Sequence, residues 1–177
     1  MKTLDVIAKR RSYRGLFKET PVPREDLVRI MEAGLAAPSG CNAQTVSLIA
    51  VDDPAVLAEM RNAMVRPLGQ NAPAFICVLC RRLVVWKGMT FAVQDYSAAI
   101  ENMLLAAVEL GYESCWLEGN LTDEDEVGKK IAKVLHVPDE YDLVCILPVG
   151  IAQDGFSPRE KKPFSQRAWF NTFGAEE

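Results

Sequence analysis

The stretch whose reading decides the fold is FAVQDYSAAIENMLLAAVEL, residues 91–110. Val93, Tyr96, Ile100, Met103, Leu104, Ala107 and Leu110 recur at helical spacing and mark a broad apolar stripe. The many small residues let a neighbouring element approach closely. Gly111 follows in the position just past a helix end that favours glycine. On the N-terminal side lies AFICVLC (74–80), which reads as a strand, separated from the helix by RRLVVWKGMT (81–90), a loop or a lid. On the C-terminal side ESCWL (113–117) reads as a strand that runs into EGN (118–120). Farther out, helices are expected over 3–10, 24–37, 54–65 and 123–135, the last opened by Thr122 or Asp123. Strands are expected over 45–51 and 142–150. Four strands and five helices without regular alternation make an α+β protein, with helices packed on a small central sheet.

There is no internal repeat and no domain boundary, so residues 1–177 read as a single domain. Residues 151–177 differ from the rest. They show little periodicity yet carry Phe156, Phe164, Trp169, Phe170 and Phe173. Disordered tails are poor in aromatic residues, so this tail is expected to dock, with a second subunit as one surface for it.

The balance of charges excludes several classes. A net charge of −4 and a pI near 5.2 argue against a nucleic-acid binder. No apolar run approaches the roughly 18 residues of a membrane span. The start, MKTLDVIAKRR, puts its charges after the apolar residues, the reverse of a secretory signal. The reading is of a cytoplasmic protein. The cysteines, at 41, 77, 80, 115 and 145, are odd in number and scattered. Cys77 and Cys80 are three apart on a strand, so they point to opposite faces and do not share a metal. His136 is the one histidine and no GxSxG elbow exists to serve it, which argues against zinc and against a Ser-His-Asp mechanism.

Four polar segments fall at element boundaries, where a rigid scaffold presents functional groups. RRSYR (10–14) offers Arg10, Arg11, Ser12 and Arg14, suited to a phosphate dianion or to a solvated cationic helix end. PSGCNAQ (38–44) combines Pro38, Ser39 and Gly40 with the amides of Asn42 and Gln44, which match a flat heteroaromatic edge or a plain helix-terminating loop. EGN places Glu118 and Gly119 after a strand end, where ligands often sit. Glu118 is either a general base or a surface carboxylate. PREKK (158–162) adds a second cationic group from the far end of the chain.

In their order and spacing, these segments resemble the FMN-dependent nitroreductase family over essentially the whole chain. The resemblance rests on RRSYR, PSGCNAQ, QDYSAAIENMLLAAVELGYESCWLEG, and DEYDLVCILPVG followed by a basic tail. It implies a three-layer fold, with a mainly antiparallel central sheet flanked by helices. It also implies a homodimer that holds FMN at its interface, the C-terminal segment 151–177 being exchanged with the partner. Arg10, Arg11, Ser12 and Arg14 would then grip the phosphate and ribityl chain, completed by Arg159 and Lys161. Pro38, Ser39, Gly40, Asn42 and Gln44 would line the flavin from the other subunit. Trp116 and Leu117 would lie against the ring, with Glu118 and Gly119 near its N5. The implied activity is NAD(P)H-driven, two-step reduction of nitroaromatics, quinones or related small oxidised molecules. The cofactor carries the hydride, so no side chain need be catalytic, and Glu118 is at most a candidate for handling protons. The alternatives are a flavin-storage protein, or a dehydrogenase or reductive dehalogenase of the same superfamily. Two departures concern the substrate side. Thr45 and Val46 stand where many members have Pro-Trp, and only Gln70 or Asn71 could replace a ring-contacting Asn and Lys. Segment 81–90 also stands in for a longer excursion in larger relatives.

Overall fold

Seven consecutive residues of the central strand, Ala74 to Cys80, are buried without exception, so the sheet is covered on both faces. The structure is a computed structural model that describes residues 2–64, 69, 71–118, 121, 126–155 and 160–174. Five helices, α1 (Thr3–Lys9), α2 (Arg24–Leu35), α3 (Pro54–Ala63), α4 (Ala92–Glu109) and α5 (Val127–Val134), surround three strands, β1 (Val46–Val51), β2 (Ala74–Cys80) and β3 (Asp142–Val149). The strands lie in the order β1-β2-β3 and pair antiparallel throughout, Val46 opposite Cys80 and Ala74 opposite Val149. The expected N-cap of α5, Thr122 or Asp123, lies outside the described residues.

Alternation along β2 divides the core in two. Ala74, Ile76, Val78 and Cys80 pack with Leu27 and Ile30 of α2 and with Ile100 and Met103 of α4. Phe75, Cys77 and Leu79 pack with Leu57 and Met60 of α3 and with Val127 and Ile131 of α5. Each fully buried Leu, Ile, Val, Phe or Met side chain among them contributes about 1.5–3 kcal/mol. The result is three layers, helices on either side of a sheet. Cys77 and Cys80 face opposite layers, as the strand period requires, and the described residues contain no cluster able to hold a metal ion. No helix among them is long and apolar enough to cross a membrane.

Helix α4 departs from its expected stripe at its N-terminal end. Val93 is 50% exposed, whereas the polar Asp95 is 3% exposed. The exchange is possible because Asp95 finds donors inside, described below. Close approach of α2 to α4 occurs at Gly34, where an added Cβ would stand 2.7 Å from Met103 Cγ. Gly111 closes α4 with φ +89°, and the Tyr112 N–H donates back to Ala107 O.

Segment 113–117 is not the regular strand expected from ESCWL. It forms two isolated antiparallel bridges to β3, Glu113 with Gly150 and Leu117 with Ile146. That register sets Cys115 opposite Pro148, and proline has no N–H to donate. The ladder therefore breaks at its middle rung while its ends hold.

Segment 81–90 is a tight hairpin. Trp86 and Met89 pair across Lys87 and Gly88, both with positive φ (45° and 79°), the geometry of a two-residue hairpin turn. The tail, as far as it is described, contains one 3-10 turn (Phe164–Gln166) and a Trp169–Phe173 ring contact at 4.1 Å. Phe164, Phe170 and Phe173 are 63–87% exposed, so within a single chain these aromatics have not found the surface expected for them.

Candidate functional site

The three described site segments all attach to α4. Arg10, at the end of α1, meets Glu101, with Nε 3.0 Å from the carboxylate. The loop after α2 is bound to Asp95. The segment after α4 is bound to Tyr96.

In the first segment the two neighbouring arginines have different fates. Arg11 Nε and Nη2 both donate to Glu113 Oε1, at 3.1 and 2.6 Å, in a partly buried pair spanning 102 positions. Its guanidinium is thus held by the protein itself, a use that RRSYR alone does not reveal. Arg10 Nε is buried and, despite the nearby Glu101, lies outside hydrogen-bonding geometry. Ser12 is half-buried and Arg14 exposed, and neither side chain enters a hydrogen bond or ion pair among the described residues. The segment is fixed by Tyr13, which is 1% exposed, donates its N–H to Ser114 O and sets its ring edge-on to Phe17 at 5.1 Å. Beside it the Ser114 hydroxyl is buried and has no hydrogen-bond partner.

The second segment is held in a strained conformation. Cys41, Asn42 and Gln44 all adopt positive φ (53°, 53° and 48°), at a cost of about 1–3 kcal/mol each. What offsets this is Asp95. Its Oδ1 accepts from the Gly40 N–H at 2.7 Å and its Oδ2 from the Thr45 hydroxyl at 2.7 Å. Gly40 is required sterically, since a Cβ there would lie 2.3 Å from the Phe91 ring. Ser39 Oγ accepts from the Gln44 N–H at 3.0 Å, so its hydroxyl serves the loop. The side chains of Asn42 and Gln44 are exposed. A cavity of about 200 Å3 opens beside the loop, lined by Pro38, Ser39, Gln44, Thr45 and Asp95 among others.

The third segment presents Trp116, Leu117 and Glu118. Leu117 is buried by its bridge to Ile146. Glu118 Oε2 accepts from the Trp116 indole N–H at 2.7 Å and Oε1 from the Tyr96 hydroxyl at 3.1 Å. Burial, then the Glu118 charge, push the Tyr96 hydroxyl above the usual tyrosine range. A cavity of about 490 Å3 reaches this carboxylate, lined also by Arg82, Leu121 and Tyr141.

The remaining expected groups divide simply. Lys161 is exposed, whereas Gly119 and Arg159 lie outside the described residues, as does Gln70. Asn71, the other candidate for a ring contact, spends its amide on Phe17, accepting from the backbone N–H at 3.1 Å and donating to the carbonyl at 2.7 Å. Sequence reasoning passed over Asp95, Tyr96 and Ser114. A carboxylate inside an apolar helical stripe is the one signal that pointed to any of them.

Cys41 departs from the other thiols, being exposed in the strained loop. Burial pushes Cys77 up to about 12 and Cys115 up to about 11, and raises Cys80 and Cys145 as well. Titration of the native protein with a chromogenic disulfide will therefore modify one thiol rapidly, and a Cys41→Ser variant none. Two or more fast thiols in the native protein would contradict this burial pattern.

A model of the nitroreductase family matches residues 7–76 and 66–151. A protein of Archaeoglobus fulgidus, named as a candidate NADH dehydrogenase/NAD(P)H nitroreductase, is 33% identical over 154 residues, 85% of this chain and 86% of that protein. The structure of an FMN-dependent nitroreductase from Clostridium difficile R20291 superimposes with a TM-score of 0.79 at 29% identity, covering 96% of this chain and 99% of the other. That of a nitroreductase with bound FMN from Bacteroides fragilis does so with a TM-score of 0.75 at 28% identity, covering both chains in full.

Proposed function

Because this chain belongs to the nitroreductase family, we propose that it is an FMN-dependent oxidoreductase. It would take reducing equivalents from NAD(P)H and pass them to small oxidised molecules such as nitroaromatics and quinones. The observation that carries the reading is the set of donors left over at residues 10–14. Among the described residues, Arg10 Nε and the neighbouring Ser114 hydroxyl are buried without a hydrogen bond, and the side chains of Ser12 and Arg14 enter no hydrogen bond or ion pair. Buried donors are rarely left unsatisfied without a functional reason. A phosphate with its ribityl chain supplies acceptors to these groups and an anionic partner to Arg14.

When bound, the flavin would supply the two-electron chemistry of a ping-pong exchange between NAD(P)H and the oxidised substrate. The protein's part is to hold and orient. Arg10, Ser12 and Arg14 would grip the phosphate end, with Lys161, and Arg159 from outside the described residues, as the further cations expected from the sequence. Arg11 acts one step back, fixing the segment through Glu113. Trp116 and Leu117 would back the ring, with Glu118 at its edge. Pro38, Ser39, Gly40, Asn42 and Gln44, pre-strained and pinned by Asp95, close over it from a second copy of the chain.

That second copy is part of the proposal. Leu4 and Ile7 of α1, Val28 and Leu35 of α2 and Val93 of α4 are 46–77% exposed, and the tail aromatics noted above are 63–87% exposed. A homodimer that exchanges residues 151–177 would cover them. The five thiols, all free, suit a reducing cytoplasm.

The visible spectrum of the purified protein tests the central claim. A flavin absorbance that NADH or NADPH bleaches without oxygen, and that a nitroaromatic or quinone restores, is the expected outcome. Protein that neither arrives with FMN nor retains it when added would overturn the reading, and a spectrum that neither nucleotide bleaches would leave flavin storage in its place.

A further inference from the structure

We infer that Tyr96 and Trp116 are positioning residues that clamp the Glu118 carboxylate as a fixed, unneutralised negative charge, and that this charge sets the reducing power of the bound flavin. The inference rests on the flavin reading above. Glu118 is half-buried, and both its oxygens are occupied, but by neutral donors: a phenol at 3.1 Å and an indole N–H at 2.7 Å. Neither cancels its charge. The cations around the adjoining cavity are already engaged, Arg82 with Asp142 at 2.5 Å and Lys129 with Glu126 at 2.5 Å. The Tyr96 hydroxyl is partly buried beside an anion, which keeps its proton on and makes it a standing donor. Tyr96 and Trp116 also come from different elements, α4 and the segment bridged to β3, so the carboxylate is braced from two sides.

Two-electron reduction of a flavin with uptake of one proton leaves one more negative charge on it than before. A carboxylate held nearby opposes that charge and lowers the reduction potential. A unit charge acting over about 10 Å at an effective dielectric of about 20 changes an equilibrium by roughly tenfold.

The test is the midpoint potential of the FMN-loaded protein, measured by equilibration with reference dyes. Glu118→Gln keeps the shape and removes the charge. It should favour the reduced flavin by roughly tenfold, about +30 mV for a two-electron couple. Tyr96→Phe keeps the charge and frees one oxygen to turn toward solvent, so it should move the potential the same way by a smaller amount. Trp116→Phe should resemble it. A potential unmoved by Glu118→Gln, or moved downward, overturns the inference. Loss of FMN from the wild-type protein would instead defeat the reading beneath it, and the two failures are separable because the first is measured only on yellow protein. Should Tyr96→Phe not fold, Glu118→Gln still decides.

Discussion

Replacing Asp95 with alanine will lower the unfolding free energy by about 3 kcal/mol and weaken FMN binding with it. The carboxylate is 3% exposed and serves two donors, the Gly40 N–H and the Thr45 hydroxyl, each at 2.7 Å. Hydrogen bonds to a charged group contribute roughly 1.5–3 kcal/mol each, and a buried donor left alone costs about 1–3 kcal/mol. Relief from burying the charge itself offsets part of the sum. In a domain of this size the loss corresponds to a fall of roughly 10 °C in Tm. The effect reaches the site because the same two bonds hold the loop in which Cys41, Asn42 and Gln44 keep positive φ. Without the clamp the loop relaxes toward ordinary backbone, and the residues proposed to cover the flavin disperse. Asp95→Asn keeps one acceptor oxygen, and the Thr45 hydroxyl can turn round to accept, so it should lose less than half as much. Urea titration with and without saturating FMN measures both consequences. A loss under about 1 kcal/mol in Asp95→Ala would mean that something else holds the loop.

The second large effect separates two adjacent arginines. Arg10→Ala should weaken FMN binding by roughly 10- to 150-fold, the loss of one charge-assisted hydrogen bond, while changing stability little. Its partner Glu101 is 44% exposed, and such surface pairs contribute about 0–1 kcal/mol. Arg11→Ala should do the reverse. Glu113, only 16% exposed, would be stranded with both oxygens unsatisfied, since its Oε2 already lacks a partner. The expected cost is about 2 kcal/mol of stability, with FMN affinity falling less than about tenfold. Flavin fluorescence gives the affinities and urea unfolding the stabilities. A larger loss of affinity in Arg11→Ala than in Arg10→Ala would reverse the assignment of the two.

The contrast between these arginines illustrates how far the sequence could be read. Helices and strands were legible because their signals are local: the apolar stripe of α4, the unbroken apolar run of β2 and the glycine after α4 each lie within a few residues. Where the reading slipped, the cause lay elsewhere in the chain. ESCWL has the composition of a strand, but its ladder is broken by Pro148, more than 30 positions away. Asn71 has a suitable amide for a flavin edge, but Phe17 takes it. Asp95 drew no reading of its own, because its partners Gly40 and Thr45 lie 55 and 50 positions away.

By itself, then, the sequence determined the class of fold and marked the segments proposed to carry the site. It also determined the family, because the order and spacing of those segments survive in one dimension. The tertiary structure alone decided which members of each segment remain available to a ligand. Arg10 and Arg11 are chemically identical neighbours, and no local rule distinguishes them. The difference arises because Glu113 arrives from 102 positions away to satisfy one of them and leaves the other's buried Nε without a bond. A hydrogen bond is a matter of distance and direction in space, and these are set only when the whole chain has packed.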